Sequence, residues 1–175
     1  TCDPCFDVLG QLRSPEGLIG TEKTYLLTAA RVRRETDLPE QVPVPLRHRG
    51  SHVFELCLAA EGAGSTITAE VTLDRPLPAA QLWLQLNQIP LGFAREIKAG
   101  PPLLLPPKPQ TESSAESKPQ AQDYASIAAF TVPLEALKAG QNQFCLRNEG
   151  EAVIVLGMEV QVRQAAPARP GAGGT

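Results

Sequence analysis

The residues best suited to chemistry in this chain are an indole and the amides around it. In Gln81 to Asn87, Leu82, Leu84 and Leu86 alternate with Gln81, Trp83, Gln85 and Asn87, so the leucines share one face of a strand and the others share its opposite. An outward indole can pack against the CH face of a pyranose ring while neighbouring amides bind hydroxyls, which makes Trp83, Gln85 and Asn87 candidate sugar contacts. The plainer alternative is that Trp83 packs beneath another segment or a neighbouring domain. An aromatic content of 5% favours it, because glycan-binding surfaces usually carry several rings. The loop residues Arg95, Glu96, Asp123 and Tyr124 are alternative contacts, because loops at the end of a sandwich often hold sites.

Hydrolytic chemistry finds little support. Cleaving a glycosidic bond needs two positioned carboxyl groups about 5 to 10 Å apart. The 19 Asp and Glu lie mostly in turns, linkers or outer strand faces, and no pair stands in a recognisable motif, so no catalytic residue is assigned. His48 and His52 flank the start of the first alternating strand without a serine elbow or a cysteine–histidine arrangement, and read as surface histidines. Cys2 and Cys5 form a C-x-x-C that could bind zinc, act in redox exchange or close a small disulfide. Zinc would need a second ligand pair, and a redox motif would start a helix after a strand; the plain reading is two thiols near a terminus. Cys57 and Cys145 share the outward parity of their strands and can pair only if those strands are neighbours. No metal or cofactor is expected.

The totals bound what remains. A chain of 175 residues suits one buried core with additional segments, and is too short for a complete (β/α)8 barrel or two full enzyme domains. The net charge is -3 and the 16 Lys and Arg are scattered, so no basic stripe is available for phosphates and nucleic acid is not an expected partner. Apolar runs such as Ala152 to Met158 fall far short of the roughly 20 residues that span a bilayer, so no membrane partner is expected either. Thr1 is compatible with a processed terminus, an expression boundary or the cut edge of a longer protein, which leaves the compartment open.

The elements that must hold these residues are strands. Val53 to Leu58 places Phe54, Leu56 and Leu58 on one face; Ile67, Ala69, Val71 and Leu73 alternate with Thr66, Thr68, Glu70 and Thr72. Alternation returns in Ser126 to Val132, from Asn142 through Phe144 to Leu146, and in Val153 to Arg163, where Ile154, Leu156, Met158, Val160 and Val162 share a parity and Gly157 marks a candidate bulge. Six such strands without a long helix between them predict two antiparallel sheets packed face to face. Residues 1–50 read as a connecting segment, the possible end of a preceding domain, with a short helix over Pro4 to Leu12 and a second begun by Ser14-Pro15-Glu16. Lys23 to Thr28 has strand character. Residues 51–164 are the sandwich, interrupted by a proline-rich insertion at 99–122, and 165–175 read as a disordered tail.

Two stretches carry a family resemblance. Leu82-Trp83-Leu84-Gln85-Leu86-Asn87-Gln88-Ile89-Pro90-Leu91 is similar to a strand ending in an Asn-Gly turn, with Gln88 in the glycine position. Phe130-Thr131-Val132-Pro133-Leu134, followed by Leu137 to Phe144, is similar to a strand, a helical turn and a G-x-N passage into the next strand. Together they resemble the galactose-binding-like jelly rolls, the accessory domains found C-terminal to glycoside-hydrolase-like (β/α)8 barrels in bacteria. Phe6 to Leu18, with Lys23-Thr24-Tyr25, resembles the segment that joins such a barrel to the jelly roll.

The fold class this implies is all-β, an antiparallel sandwich of the galactose-binding-like jelly-roll kind with a short mixed helical N-terminal segment. The function implied is a noncatalytic carbohydrate-binding or accessory module, whose partners would be a glycan or a preceding catalytic domain. Two alternatives stand beside it: a structural or protein-interaction domain, and the C-terminal part of a glycoside-hydrolase-like enzyme whose active site lies outside this chain.

Overall fold

The computed structural model describes residues 8–14, 17–28, 42–103 and 124–165. They form eleven strands: β1 (Val8–Ser14), β2 (Gly17–Thr28), β3 (Val44–Leu46), β4 (Ser51–Leu58), β5 (Thr66–Leu73), β6 (Leu82–Leu86), β7 (Ile89–Phe93), β8 (Glu96–Pro102), β9 (Tyr124–Val132), β10 (Gly140–Asn148) and β11 (Val153–Ala165). One sheet runs β1-β2-β11-β5-β9-β8, with β3 also on β11; the other runs β4-β10-β6-β7. All pairings are antiparallel, and the two sheets pack as a sandwich. Among the described residues no helix is long and apolar enough to cross a membrane.

All six strands expected from alternation are present, and their inward parities build the core. Phe54, Leu56 and Leu58 of β4, Leu82, Leu84 and Leu86 of β6, and Phe144 and Leu146 of β10 meet Ile67, Ala69, Val71 and Leu73 of β5, Ala128, Phe130 and Val132 of β9, and Met158, Val160 and Val162 of β11. Each large apolar side chain buried here contributes about 1.5 to 3 kcal/mol.

In β11 the expected single parity is corrected. Val155 lies opposite Leu73 while Gly157 lies opposite Thr72, so Leu156 is an extra residue and Gly157 does mark a bulge. The extra residue switches faces. Val153 and Val155 point inward before it and Met158, Val160 and Val162 after it, which leaves Ile154 40% exposed.

The helical reading of the N-terminal segment is overturned. Val8 to Ser14 is β1, in a hairpin with β2; Pro4 to Asp7, Pro15 and Glu16 lie outside the described residues. β2 carries Gly17, Gly20, Ile19 and several threonines, which are weak helix formers, and it gains an unbroken ladder along β11 from Gly20 opposite Ala165 to Thr28 opposite Gly157. Part of the stretch read as a connecting segment is therefore built into the larger sheet. The proline-rich stretch also begins inside a strand, since Ala99 to Pro102 belong to β8; residues 104–123 and 166–175 lie outside the described residues.

Two turns govern how the smaller sheet is aligned. Between β6 and β7, Asn87 and Gln88 have φ of 49° and 70°, the paired left-handed conformation of a two-residue mirror-image hairpin turn. Before β10, a single turn at Leu134–Ala136 leads to Gly140, whose φ of 96° requires glycine. Asn142 is fully buried there. Its Oδ1 accepts from the Lys138 backbone N–H at 3.0 Å and from Asn87 Nδ2 at 2.8 Å, and its Nδ2 donates to the carbonyls of Lys138 and Gly140 at 2.8 and 3.0 Å. The local backbone bonding expected of Asn142 is present, and the bond to Asn87 links it to the other turn.

Candidate functional site

The outer face of the four-stranded sheet is where the outward residues of β4, β10, β6 and β7 gather. Cross-strand partners in an antiparallel sheet share a face, so the register defines rows across it. One row is Ser51, Arg147, Trp83 and Phe93; the next is Val53, Cys145, Gln85 and Pro90. Trp83 is half-buried at the centre of its row. Phe93 beside it is 52% exposed and Val53 47% exposed. Phe93 reaches this face because Leu91 is an extra residue on β7 and Gly92, at φ 92°, accommodates the resulting bulge.

Arg147 lies over the indole, with its guanidinium carbon 4.9 Å from the ring centroid. The quadrupole of the ring attracts the cation, worth about 0.5 to 1 kcal/mol where water has access. Arg147 Nε also donates to Glu149 Oε1 at 2.5 Å, so the guanidinium is held by a carboxylate at its edge while its flat side faces the ring.

The candidate contacts fall into separate places. Trp83 and Gln85 stand two residues apart on this face, and the Gln85 amide makes no side-chain hydrogen bond among the described residues. Asn87 is committed to the fold: Nδ2 donates to the Ala136 carbonyl at 2.9 Å and to Asn142, and Oδ1 accepts from the Gln143 N–H at 3.0 Å. Arg95 follows β7, exposed and paired with Glu96 at 3.0 Å. Tyr124 is 54% exposed at the far end of β9, opposite Pro102, whereas Glu96 next to Arg95 lies opposite Ala129. Five residues of strand separate those positions, roughly 17 Å, so Arg95 and Tyr124 do not share a site. Asp123 lies outside the described residues.

Phe93 and Arg147 are the members of the face that sequence reasoning missed. Alternation from Asn142 to Leu146 already sets Arg147 outward, but nothing in the order of residues says that β10 pairs with β6. Phe93 was hidden by Pro90 and Gly92, which conceal a strand that survives because it is at a sheet edge.

A second constellation anchors β2. Glu61, with a side chain only 4% exposed, accepts from Tyr25 Oη at 2.7 Å and pairs with Lys23 Nζ at 3.2 Å, while the Ala59 N–H donates to Tyr25 Oη at 3.3 Å. Burial of Tyr25 first, and its bond to Glu61 second, push its phenol from 10.0 up to about 12. Elsewhere, Arg47 and Arg75 flank an apolar cleft of about 150 Å³ between β3 and the start of β11, small beside ordinary ligand pockets.

Cys57 and Cys145 do not form a bridge with each other. Cys57 is disulfide-bonded and Cys145 is a free thiol. Their strands are neighbours, but Cys57 lies opposite Gln141 and Cys145 opposite Val53, four positions along the ladder. That offset is roughly 13 Å, beyond the reach of a disulfide. Among the described residues no three of His, Cys, Asp and Glu gather as a metal site.

No protein-family model matches the chain, and no curated protein matches it significantly. Among solved structures, it is similar to part of a β-porphyranase of glycoside hydrolase family 86 from the human gut bacterium Bacteroides plebeius. The TM-score is 0.46 and the identity 14%, over 74% of this chain and 20% of that one. The likeness thus spans a minor part of that protein's length.

Proposed function

We propose that the chain is a noncatalytic β-sandwich module of a carbohydrate-active protein, on the plan of the galactose-binding-like jelly rolls, and that it binds glycan on the outer face of its four-stranded sheet. The observation that carries this reading is the row formed by Arg147, Trp83 and Phe93, with the unengaged Gln85 amide beside it. An indole and a phenyl ring on adjacent strands offer apolar surface to the CH faces of a sugar, and Gln85 and the guanidinium edge offer hydrogen bonds to its hydroxyls. Arg95 and Tyr124, which stand apart from each other, are not part of this face.

The test is binding to a glycan panel by the chain and by Trp83→Ala, Phe93→Ala and Gln85→Ala, with circular dichroism to show that each variant is folded. Trp83→Ala and Phe93→Ala should each weaken binding by at least about tenfold, equivalent to about 1.4 kcal/mol. A bound glycan whose affinity is indifferent to all three substitutions removes this face from the site. A second reading, a face that docks on a preceding catalytic domain, draws on the exposure of Val53 and Phe93. It predicts no glycan binding and an association with that domain that Phe93→Ala weakens.

A further inference from the structure

The charges of the proposed face indicate which glycans it accepts, and the argument rests on the reading of that face as a glycan site. Its strand positions carry one cation, Arg147, and one carboxylate, Glu55, with Glu149 immediately after β10. The Arg147 guanidinium is occupied twice, by the indole beneath it and by Glu149 at its edge. Glu55 accepts from Gln143 Nε2 at 3.2 Å, on the same face. A sulfate or uronate arriving at Trp83 would meet an Arg147 already paired with Glu149, together with the charge of Glu149 itself and, along the sheet, that of Glu55. Like charges brought together in this way are unfavourable, and the single cation is already compensated.

The uncharged groups are placed differently. Gln141 and Gln143 are exposed and Gln85 is partly buried on the same face, each able to donate and accept. The row from Ser51 through Arg147 and Trp83 to Phe93 crosses all four strands, roughly 14 Å at the usual strand spacing, which suits a short oligosaccharide lying across the strands. We infer that the face selects an uncharged oligosaccharide, packed across the strands on Phe93 and on the part of the indole that Arg147 leaves uncovered, and that the Glu149 carboxylate excludes anionic glycans by neutralising Arg147.

Calorimetry on the full chain with uncharged gluco- and galacto-oligosaccharides, and with sulfated and uronate-bearing ones, tests this at about 0.05 and 0.5 M sodium chloride, concentrations that bracket physiological screening. Uncharged ligands should bind, with an affinity that changes less than about twofold across that range. Glu149→Gln should give the face measurable affinity for the sulfated ligand. Preferential binding of the anionic class by the unaltered chain, falling about tenfold with salt and lost in Trp83→Ala or Gln85→Ala, overturns the charge assignment while keeping the glycan face. An unchanged preference in Glu149→Gln also overturns it. Binding of neither class overturns the glycan reading itself.

Discussion

Replacing Gln88 with glycine should stabilise this protein, although it removes a side chain. Gln88 is exposed at the second position of the β6–β7 turn with φ of 70°, a conformation that costs a residue with a Cβ about 1 to 2 kcal/mol. Glycine escapes that cost but brings extra freedom to the unfolded chain, worth about 0.5 to 1 kcal/mol against folding. The difference leaves Gln88→Gly more stable by about 0.5 to 1 kcal/mol, or about 1 to 4 °C in Tm for a chain of this size. Asn87→Gly is the control. It relieves a similar φ of 49° but deletes the bonds to Ala136, Asn142 and Gln143, about 1 kcal/mol each, and should destabilise by about 2 to 3 kcal/mol. Trp83 is the single tryptophan, so urea unfolding followed by its fluorescence reports both variants as midpoint shifts at constant slope. A neutral or destabilising Gln88→Gly, or a stabilising Asn87→Gly, would refute the account of this turn.

Other outcomes follow from the same structure. Asn142→Ala should cost about 3 to 5 kcal/mol in urea unfolding, because it strands the Lys138 N–H, two carbonyls and the Asn87 amide in a buried site; a loss below about 1 kcal/mol contradicts this. Val155→Ala should cost about 1.5 to 3 kcal/mol and Ile154→Ala less than about 1, a contrast that inverts if the β11 bulge is absent. Tyr25 ionises with a raised pKa, so the folded state favours the neutral phenol. The stability this contributes is complete below pH 10.0 and lost as pH rises through about 12. Absorbance titration of Tyr124→Phe, which retains only Tyr25, reads that ionisation directly.

Strands whose burial differs between their two faces were legible from residue order. β4, β5, β6 and β10 show it, because period-two alternation is a direct record of one face in the core. Three of the concealed strands have identifiable reasons. β7 and β8 hold proline at sheet edges, where a missing N–H costs little, and β1 carries no decisive alternation of its own. In β11 the pattern was readable but its phase was not: one extra residue inverts the parity, and Gly157 indicated only where. Of the candidate face, the outward placement of Trp83 and Gln85 followed from the leucines between them. The cation over the indole depends on which strands pair, and that information lies in contacts far apart in sequence.

The bond between Asn87 and Asn142 gives two motifs that look independent a common fate. They lie 55 residues apart, and the side-chain amides of the two turns are joined directly. The bond can close only once the β6–β7 hairpin and the passage into β10 have met, a contact between parts of the chain far apart in sequence. Across evolution the two asparagines should vary as a pair: a lineage that loses one leaves the other with a dangling amide and little reason to keep it. Their joint presence is therefore a sharper mark of common descent than either turn by itself, and one that can be sought in sequences too divergent to align over their strands.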